Sequence, residues 1–211
     1  FQAAVHGEVF DVLLKYFGTD FECFASPFNA RYPSYCSAFP DTDHVFGGKS
    51  DFFHFKPLEG SFEANPPFVP PLVESMAFHI NGLLAASEDK EKGLMFVVII
   101  QNFGEKARCL EGLRESCYLT SKLELTQKDH GFCEGKQQIR PTRFRISSSD
   151  TIVFFLQTAP AKTRWPVTEK SLEDLKSAFA SKQREEMKEK DVFSKRKTKS
   201  AETEKNAKRK K

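Results

Sequence analysis

Asn65, Pro66, Pro67 and Phe68 are the residues whose types and order could do chemistry. Proline has no N–H and fixes its own φ. Asn65-Pro66-Pro67 is therefore stiff and extended, and its carbonyls project without a competing backbone donor. An exocyclic amine on a purine or pyrimidine is a poor nucleophile because its lone pair is delocalised into the ring. Two acceptors, the Asn65 side-chain oxygen and the Pro66 carbonyl, can hold the two amine hydrogens and turn the lone pair toward a methyl donor. Phe68 supplies a ring on which the base can stack. The same stretch also fits a second description, in which Asn65 to Pro71 is a polyproline II ligand or a plain loop.

A methyl donor needs its own binding place. Phe21-Glu22-Cys23-Phe24-Ala25-Ser26-Pro27-Phe28-Asn29 reads as a strand that ends in a small-residue turn. Ala25 and Ser26 add little bulk, and the amide of a small residue at the following helix start can hold a carboxylate. Glu22, Asp41 or Asp43 can take ribose hydroxyls or an ammonium group. Without a Gly-x-Gly the segment is equally described as a tight turn between strand and helix. Arg140, Arg143 and Arg145 alternate with Thr142 and Phe144. On a strand Arg143 and Arg145 share one face and, with Arg140 nearby, can reach RNA phosphates, or they form an exposed, solvated run. Trp165 beside Arg164 reads as partly buried core in preference to a stacking platform. Cys109, Cys117, Cys133 and His130 match no common zinc spacing, and no metal is expected. His44, His54 and His79 are scattered and take no role.

These groups must be positioned by larger elements. Gly60 to Ala64 alternates like a short strand that delivers Asn65 at its carboxyl end. Pro70-Pro71 opens a helix whose apolar stripe is Leu72, Val73, Met76, Ile80, Leu83 and Leu84. Leu94 to Ile100 is continuously apolar, as a strand buried on both faces is, and Thr151 to Gln157 reads the same way. Val5, Val9, Val12, Leu13, Tyr16 and Phe17 give a first helix that stops at Gly18. Phe52, Phe53 and Phe55 suggest another buried strand, and residues 30–39 a short helix. Ser171 with Asp174 forms a capping-box pattern ahead of Leu172, Leu175 and Phe179. Helices alternating with strands predict an α/β fold: a mostly parallel sheet with helices on both faces. Ligands of such sheets bind beyond the carboxyl ends of the strands.

Length and charge set the outer bounds. The chain has 211 residues and a net charge of +3. Residues 181–211 hold 13 Lys and Arg against 6 Asp and Glu, leaving 19 and 23 for residues 1–180. A mildly acidic core at residues 1–180 with a basic, mostly disordered tail at 181–211 is expected. In the tail, Lys195-Arg196-Lys197 and Lys208-Arg209-Lys210-Lys211 resemble a bipartite nuclear import signal, or simply keep the tail soluble. Five cysteines without a C-x-x-C pair suit a reducing compartment. No apolar run is long enough to span a bilayer, so no membrane partner is expected. The chain starts at Phe1 without an initiator Met, which suggests a piece of a longer protein.

The order of the two stretches, cofactor turn first and Asn-Pro-Pro-aromatic about forty residues later, resembles amino-methyltransferases with a Rossmann-like core. More specifically, the chain resembles the phosphorylated-CTD-interacting factor family of cap-specific adenosine methyltransferases. Three blocks carry the resemblance: Phe21 to Pro27, Tyr35 to Asp43 and Gly60 to Phe68. Weaker similarity runs through Phe154-Phe155-Leu156-Gln157 and Trp165, so most of residues 1–180 are covered. The resemblance implies a Rossmann-like S-adenosylmethionine-dependent methyltransferase sheet. The implied activity is transfer to N6 of 2′-O-methyladenosine beside the mRNA cap, in the nucleus. Asn65, Pro66, Pro67 and Phe68 align with the family's catalytic motif. Phe24, Ala25, Ser26 and Pro27 align with its cofactor turn, with Glu22, Asn29 and Asp43 as further cofactor candidates. Phe68, Arg143 and Arg145 are substrate candidates. Capped mRNA is the implied partner, as is the phosphorylated polymerase II C-terminal domain through a WW domain that lies outside this chain. One departure is Gln101-Asn102-Phe103, where the family pattern leads one to expect Pro-Glu-Trp. Other readings are an amino-methyltransferase of other RNA or DNA, and a non-catalytic nuclear module that presents its prolines to a WW or SH3 partner.

Overall fold

β3 (Leu94–Gln101) is the spine of the molecule. Its side chains alternate between two cores. Phe96, Val98 and Ile100 point into one apolar cluster, and Met95, Val97 and Ile99 into another. The structure, a computed structural model, describes residues 3–134 and 144–181. β2 (Gly60–Ala64) pairs with β3 in parallel, Gly60 opposite Leu94 and Ala64 opposite Val98. β7 (Thr151–Gln157) lies on the other side of β3 but runs antiparallel, Phe96 facing Leu156 and Ile100 facing Ile152. β4 (Leu119–Leu125) adds antiparallel to β7 and closes that edge.

Beyond β2 the sheet continues as isolated parallel bridges. Glu22 bridges Glu63, Tyr35 bridges Glu22, and Gly48 aligns with Tyr35. Numbered along the chain, the seven positions lie in the order three, two, one, four, five, seven, six. The expected mostly parallel sheet is present, made mixed by one reversed member, β7. The side from Gly48 to β3 is parallel, and the antiparallel β7 separates β3 from β4. A continuous apolar run reports burial on both faces but not strand direction, which is why β7 read like β3.

Helices do cover both faces. α3 (Pro70–Glu88) buries Val73, Met76, Ile80 and Leu84 on one face, with the one-turn α4 (Glu111–Arg114) beside it. On the other face lie α1 (Gly7–Phe17), through Val9, Phe10, Leu13 and Phe17, and α6 (169–181), through Leu175 and Phe179. Between β7 and α6 lies the short α5 (Ala159–Arg164). Gly18 ends α1 at φ 62°, where a side chain would be strained and would meet Trp165 at 2.8 Å. Trp165 is half-buried there, with the Arg164 guanidinium 4.6 Å from its ring centre.

A second, three-stranded antiparallel sheet was not visible in the sequence. It is built of β1 (Ala3–Ala4), β5 (Gly131–Glu134) and β6 (Phe144–Ile146), in the order β1-β5-β6. A Cβ on Gly131 would lie 2.3 Å from the Arg145 carbonyl, so glycine is what lets β5 and β6 meet.

Three local expectations are corrected. Residues 52–54 form a turn in place of a strand, because the Asp51 carboxylate accepts the N–H groups of Phe53 and His54 at 3.0 and 3.2 Å. Residues 30–39 hold no helix. The one-turn α2 (Pro40–Asp43) follows them, with proline at its start. The cap of α6 is Thr168 in place of Ser171. The Ser171 N–H donates to Thr168 Oγ1 at 3.2 Å, and Ser171 Oγ takes the Thr168 N–H at 2.9 Å. Asp174 is left to accept the Tyr16 hydroxyl at 2.5 Å. The tail from 182 onward, with both basic clusters, and Arg140 and Arg143 lie outside the described residues.

Candidate active site

The first and fourth sheet positions are neighbours in space although two others separate them in sequence. There the chain order reverses, which opens a crevice beyond the strands' carboxyl ends. A cavity of about 560 Å³ occupies that place. This lies inside the range of roughly 300–1,000 Å³ usual for small-molecule sites.

One wall comes from the first three positions. Phe24, Ala25, Ser26 and Asn29 follow the first, Cys36 to Phe39 the second, and Asp51 to Phe53 the third. The turn after the first position is tied by Asn29, whose Oδ1 accepts the Ser26 N–H at 2.8 Å and lies 3.0 Å from its hydroxyl. No helix follows this turn, and the Ser26 amide is already taken. The expected helix-start amide for a ligand carboxylate is therefore corrected. The Ala25 N–H donates to the Cys36 carbonyl at 2.9 Å, which joins the first and second loops.

The opposite wall is Asn65, Pro66, Pro67 and Phe68, with Leu72 of α3 behind them. Pro66 is buried, and Pro70 and Pro71 sit in the first turn of α3. Residues 66–71 are thus not one continuous extended segment, which argues against the polyproline II reading although Pro67 and residues 69–71 are exposed. Among the described residues no hydrogen bond engages the Asn65 side chain or the Pro66 carbonyl, whereas the Pro67 carbonyl accepts the Val69 N–H at 2.7 Å. The two acceptors needed for an amine are unspent and border one cavity. Phe68 meets Phe132 of β5 edge-to-face, ring centres 6.0 Å apart at 72°. Phe132 and residues 145–149 complete the wall on this side.

The remaining candidates fall differently. Arg145 lies on the cavity wall. Pro27 belongs to the turn but does not line the cavity. Asp43 stands one step behind the wall, where its carboxylate accepts the Ser37 hydroxyl. Glu22 is 2 % exposed and accepts the backbone N–H groups of Arg31 and Tyr32 at 2.7 and 2.8 Å. It faces the protein interior, so its expected place at the cofactor is corrected. The acid on the wall is Asp51, which the sequence reading passed over. The signal was an acid directly ahead of Phe52-Phe53, just after the third position. Cys23 and Cys36 also line the cavity, and burial pushes the Cys36 thiol up to about 12. Among the described residues no cluster could hold a metal ion, and no helix is long and apolar enough to cross a membrane.

Beneath the crevice Glu22 and Glu63 lie side by side on neighbouring strands. Burial pushes Glu22 up to about 7, against the opposing amides of Tyr32 and Arg31. Burial first, and the Glu22 charge second, push Glu63 well above the ordinary glutamate range. The two amides favour the charged form of Glu22, so the pair's proton resides on Glu63. Above pH 4.5 the folded state holds more protons than the unfolded chain, so stability falls as pH rises, with the Glu22 share gone beyond about pH 7. The expected result is a melting temperature that declines from about pH 5 to pH 8. Glu63→Gln keeps the shape without the ionisation and flattens that decline. An unchanged slope in the variant would place the buried proton elsewhere.

Comparisons with known proteins identify the family. The family model described as Phosphorylated CTD interacting factor 1 WW domain matches residues 1–135. That segment runs from β1 through β5 and contains no tryptophan, the chain's one being Trp165. The chain is 37% identical over 181 residues to proteins of Mus musculus and Homo sapiens named mRNA (2′-O-methyladenosine-N(6)-)-methyltransferase. The match takes in 84% of this chain and 25% of each relative, so the chain spans about a quarter of the length of these curated relatives. The matched family and this identity over most of the chain carry the conclusion: the chain belongs to the phosphorylated-CTD-interacting factor family.

Proposed function

We propose that this chain is the methyl-transferring part of an adenosine N6-methyltransferase, acting on the 2′-O-methyladenosine beside an mRNA cap with S-adenosylmethionine as donor. The observation that carries the reading is the shared cavity. Small residues at Ala25 and Ser26 face it from one side, and two unspent acceptors at Asn65 and Pro66 from the other. The strand order, with its reversal at the crevice, supports a Rossmann-like methyltransferase sheet. The names of the mouse and human relatives supply the substrate.

S-adenosylmethionine fits the cradle by size and by chemistry. Phe24 and Phe52 give apolar contact, and Ala25 and Ser26 admit the ligand close to the backbone. The Asp51 carboxylate on the wall is itself held by the N–H groups of Phe53 and His54 and by His54 Nδ1 at 2.6 Å. When bound, the cofactor supplies an electrophilic methyl group. The residues of this chain do the rest. Asn65 Oδ1 and the Pro66 carbonyl accept the two amine hydrogens, which frees the nitrogen lone pair. Phe68 holds the base by stacking. No side-chain base is needed before transfer, because the amine becomes acidic only after it is methylated. Most of the rate comes from alignment, which can supply several orders of magnitude. The reading includes capped mRNA as partner, attachment to the phosphorylated polymerase II C-terminal domain through a WW module outside this chain, and a nuclear location.

Calorimetric titration with S-adenosylhomocysteine tests the cofactor half. Binding in the micromolar range is expected, and Ala25→Phe, which fills the cradle, should weaken it at least tenfold. Equal affinity in the variant would move the cofactor out of this cavity.

A further inference from the structure

The stretch Arg145 to Ser149 borders the cavity but belongs to neither the acceptor pair nor the cofactor cradle. It is firmly held. The Ser147 N–H donates to the His130 carbonyl at 3.1 Å, and the Ser147 hydroxyl donates to the Ser149 carbonyl at 2.7 Å. At the far end the Asp150 carbonyl accepts the Asn102 N–H at 2.8 Å, and its carboxylate accepts the Gln127 N–H at 2.7 Å. That carboxylate does not line the cavity. Between these anchors, no hydrogen bond to a described residue engages the Ser148 N–H or the hydroxyls of Ser148 and Ser149. A rigid rim therefore presents unspent donors beside a guanidinium.

Its place says what the donors meet. Arg145 pairs with Phe132 across β5 and β6, and Phe132 touches the Phe68 ring. Through Phe132 the rim therefore stands next to the ring that stacks the base. A nucleotide whose base lies on Phe68 carries its sugar and phosphates outward from that ring. Hydroxyl and backbone donors with one arginine are a common set for a phosphodiester.

We propose that Arg145, Ser148 and Ser149 form a phosphate subsite that holds a phosphodiester flanking the target adenosine. The inference rests on the adenosine reading of the cavity and deepens it. In the proposed substrate the adenosine carries a phosphodiester on its 3′ side and the triphosphate bridge to the cap on its 5′ side. Both present anionic phosphate oxygens, the 5′ phosphodiester of a trinucleotide stands in for the bridge, and the experiment separates the two sides. The probes are the trinucleotide GAU and two versions in which a neutral methylphosphonate replaces the phosphate on the 5′ or the 3′ side of the adenosine. Binding is measured with S-adenosylhomocysteine present.

For the unaltered protein, one methylphosphonate is expected to weaken binding about tenfold, as for hydrogen bonds to a charged group, and the other to change it little. The double variant Ser148→Ala, Ser149→Ala should bind the natural trinucleotide as weakly as the sensitive methylphosphonate and should leave S-adenosylhomocysteine affinity unchanged. Its affinity for the neutral probe stays that of the unaltered protein, which a misfolded variant would not reproduce. Equal affinity of the unaltered protein for all three trinucleotides, or no binding of any, overturns the subsite. A silent S-adenosylhomocysteine titration with phosphate discrimination retained overturns the methyltransferase reading and not the subsite.

Discussion

Asn65→Ala should reduce methyl transfer by at least about a hundredfold while the protein stays folded. The magnitude follows from what the side chain does. Losing one of two acceptors that align a developing charge in a closed site costs on the order of 10²–10³ in rate. The partner amine hydrogen is then left without a protein acceptor in the cavity. The fold survives because Asn65 engages no described hydrogen bond and stands beyond the end of β2, whose pairing with β3 runs from Gly60 to Ala64. The measurement is turnover on capped RNA beginning with 2′-O-methyladenosine, with melting temperature and S-adenosylhomocysteine affinity as controls. A variant with near-normal turnover would remove the Asn65–Pro66 acceptor pair from the mechanism.

Phe96→Ala should be the most damaging single truncation for stability, costing about 3–5 kcal/mol. Phe96 is fully buried at the middle of β3. It stacks on Phe62 at 5.5 Å and meets Phe52 edge-on at 6.4 Å. Phe52 in turn touches Phe24 at 4.7 Å, and both line the cavity. The cost comes from lost burial and from a void that the surrounding strand ladders cannot collapse into. It is a large share of the roughly 5–15 kcal/mol that a domain has. The same ring chain predicts a second effect: S-adenosylhomocysteine affinity falls although Phe96 does not line the cavity. Denaturant midpoints measure the first effect and calorimetry the second. A loss below about 1 kcal/mol would mean that the core repacks freely around the gap.

Much of the sheet was legible because its signals are strong and local. Leu94 to Ile100 and Thr151 to Gln157 are unbroken apolar runs, and Pro70-Pro71 followed by a periodic stripe announces α3. The missed parts lack that contrast. β4 is an edge strand, and Leu119-Thr120-Ser121-Lys122-Leu123-Glu124-Leu125 is mostly polar. β1, β5 and β6 are two to four residues long and depend on one another across more than a hundred residues of sequence. Phe52, Phe53 and Phe55 misled because aromatic content suggested a strand, whereas one carboxylate, Asp51, fixed a turn. At the site, Asn65, Pro66 and the small-residue turn could be singled out as candidates from residue type, and they line one cavity. Asp51 and the Ser147–Ser149 rim could not, because what qualifies them is position at the cavity, set by contacts distant in sequence. Glu22 illustrates the converse: its residue type suited a ribose, but neighbouring amides claimed it.

The isolated bridges at Glu22, Tyr35 and Gly48 have a consequence for how the protein breathes. β3 is sealed by ladders on both sides, and its amides exchange with solvent only through large-scale opening. The segments carrying Ala25, Cys36 and Ser50 are tied to their neighbours by only three to five backbone hydrogen bonds each and open at lower free energy. Hydrogen–deuterium exchange should therefore be fast at residues 24–26 and 36–39 and slow at 95–100. A ligand seated between those loops would slow the first set and leave the second unchanged. On the proposed reading, the loops that would face the cofactor gain order when it binds, while Asn65 and Pro66, directly after β2, are held in place beforehand.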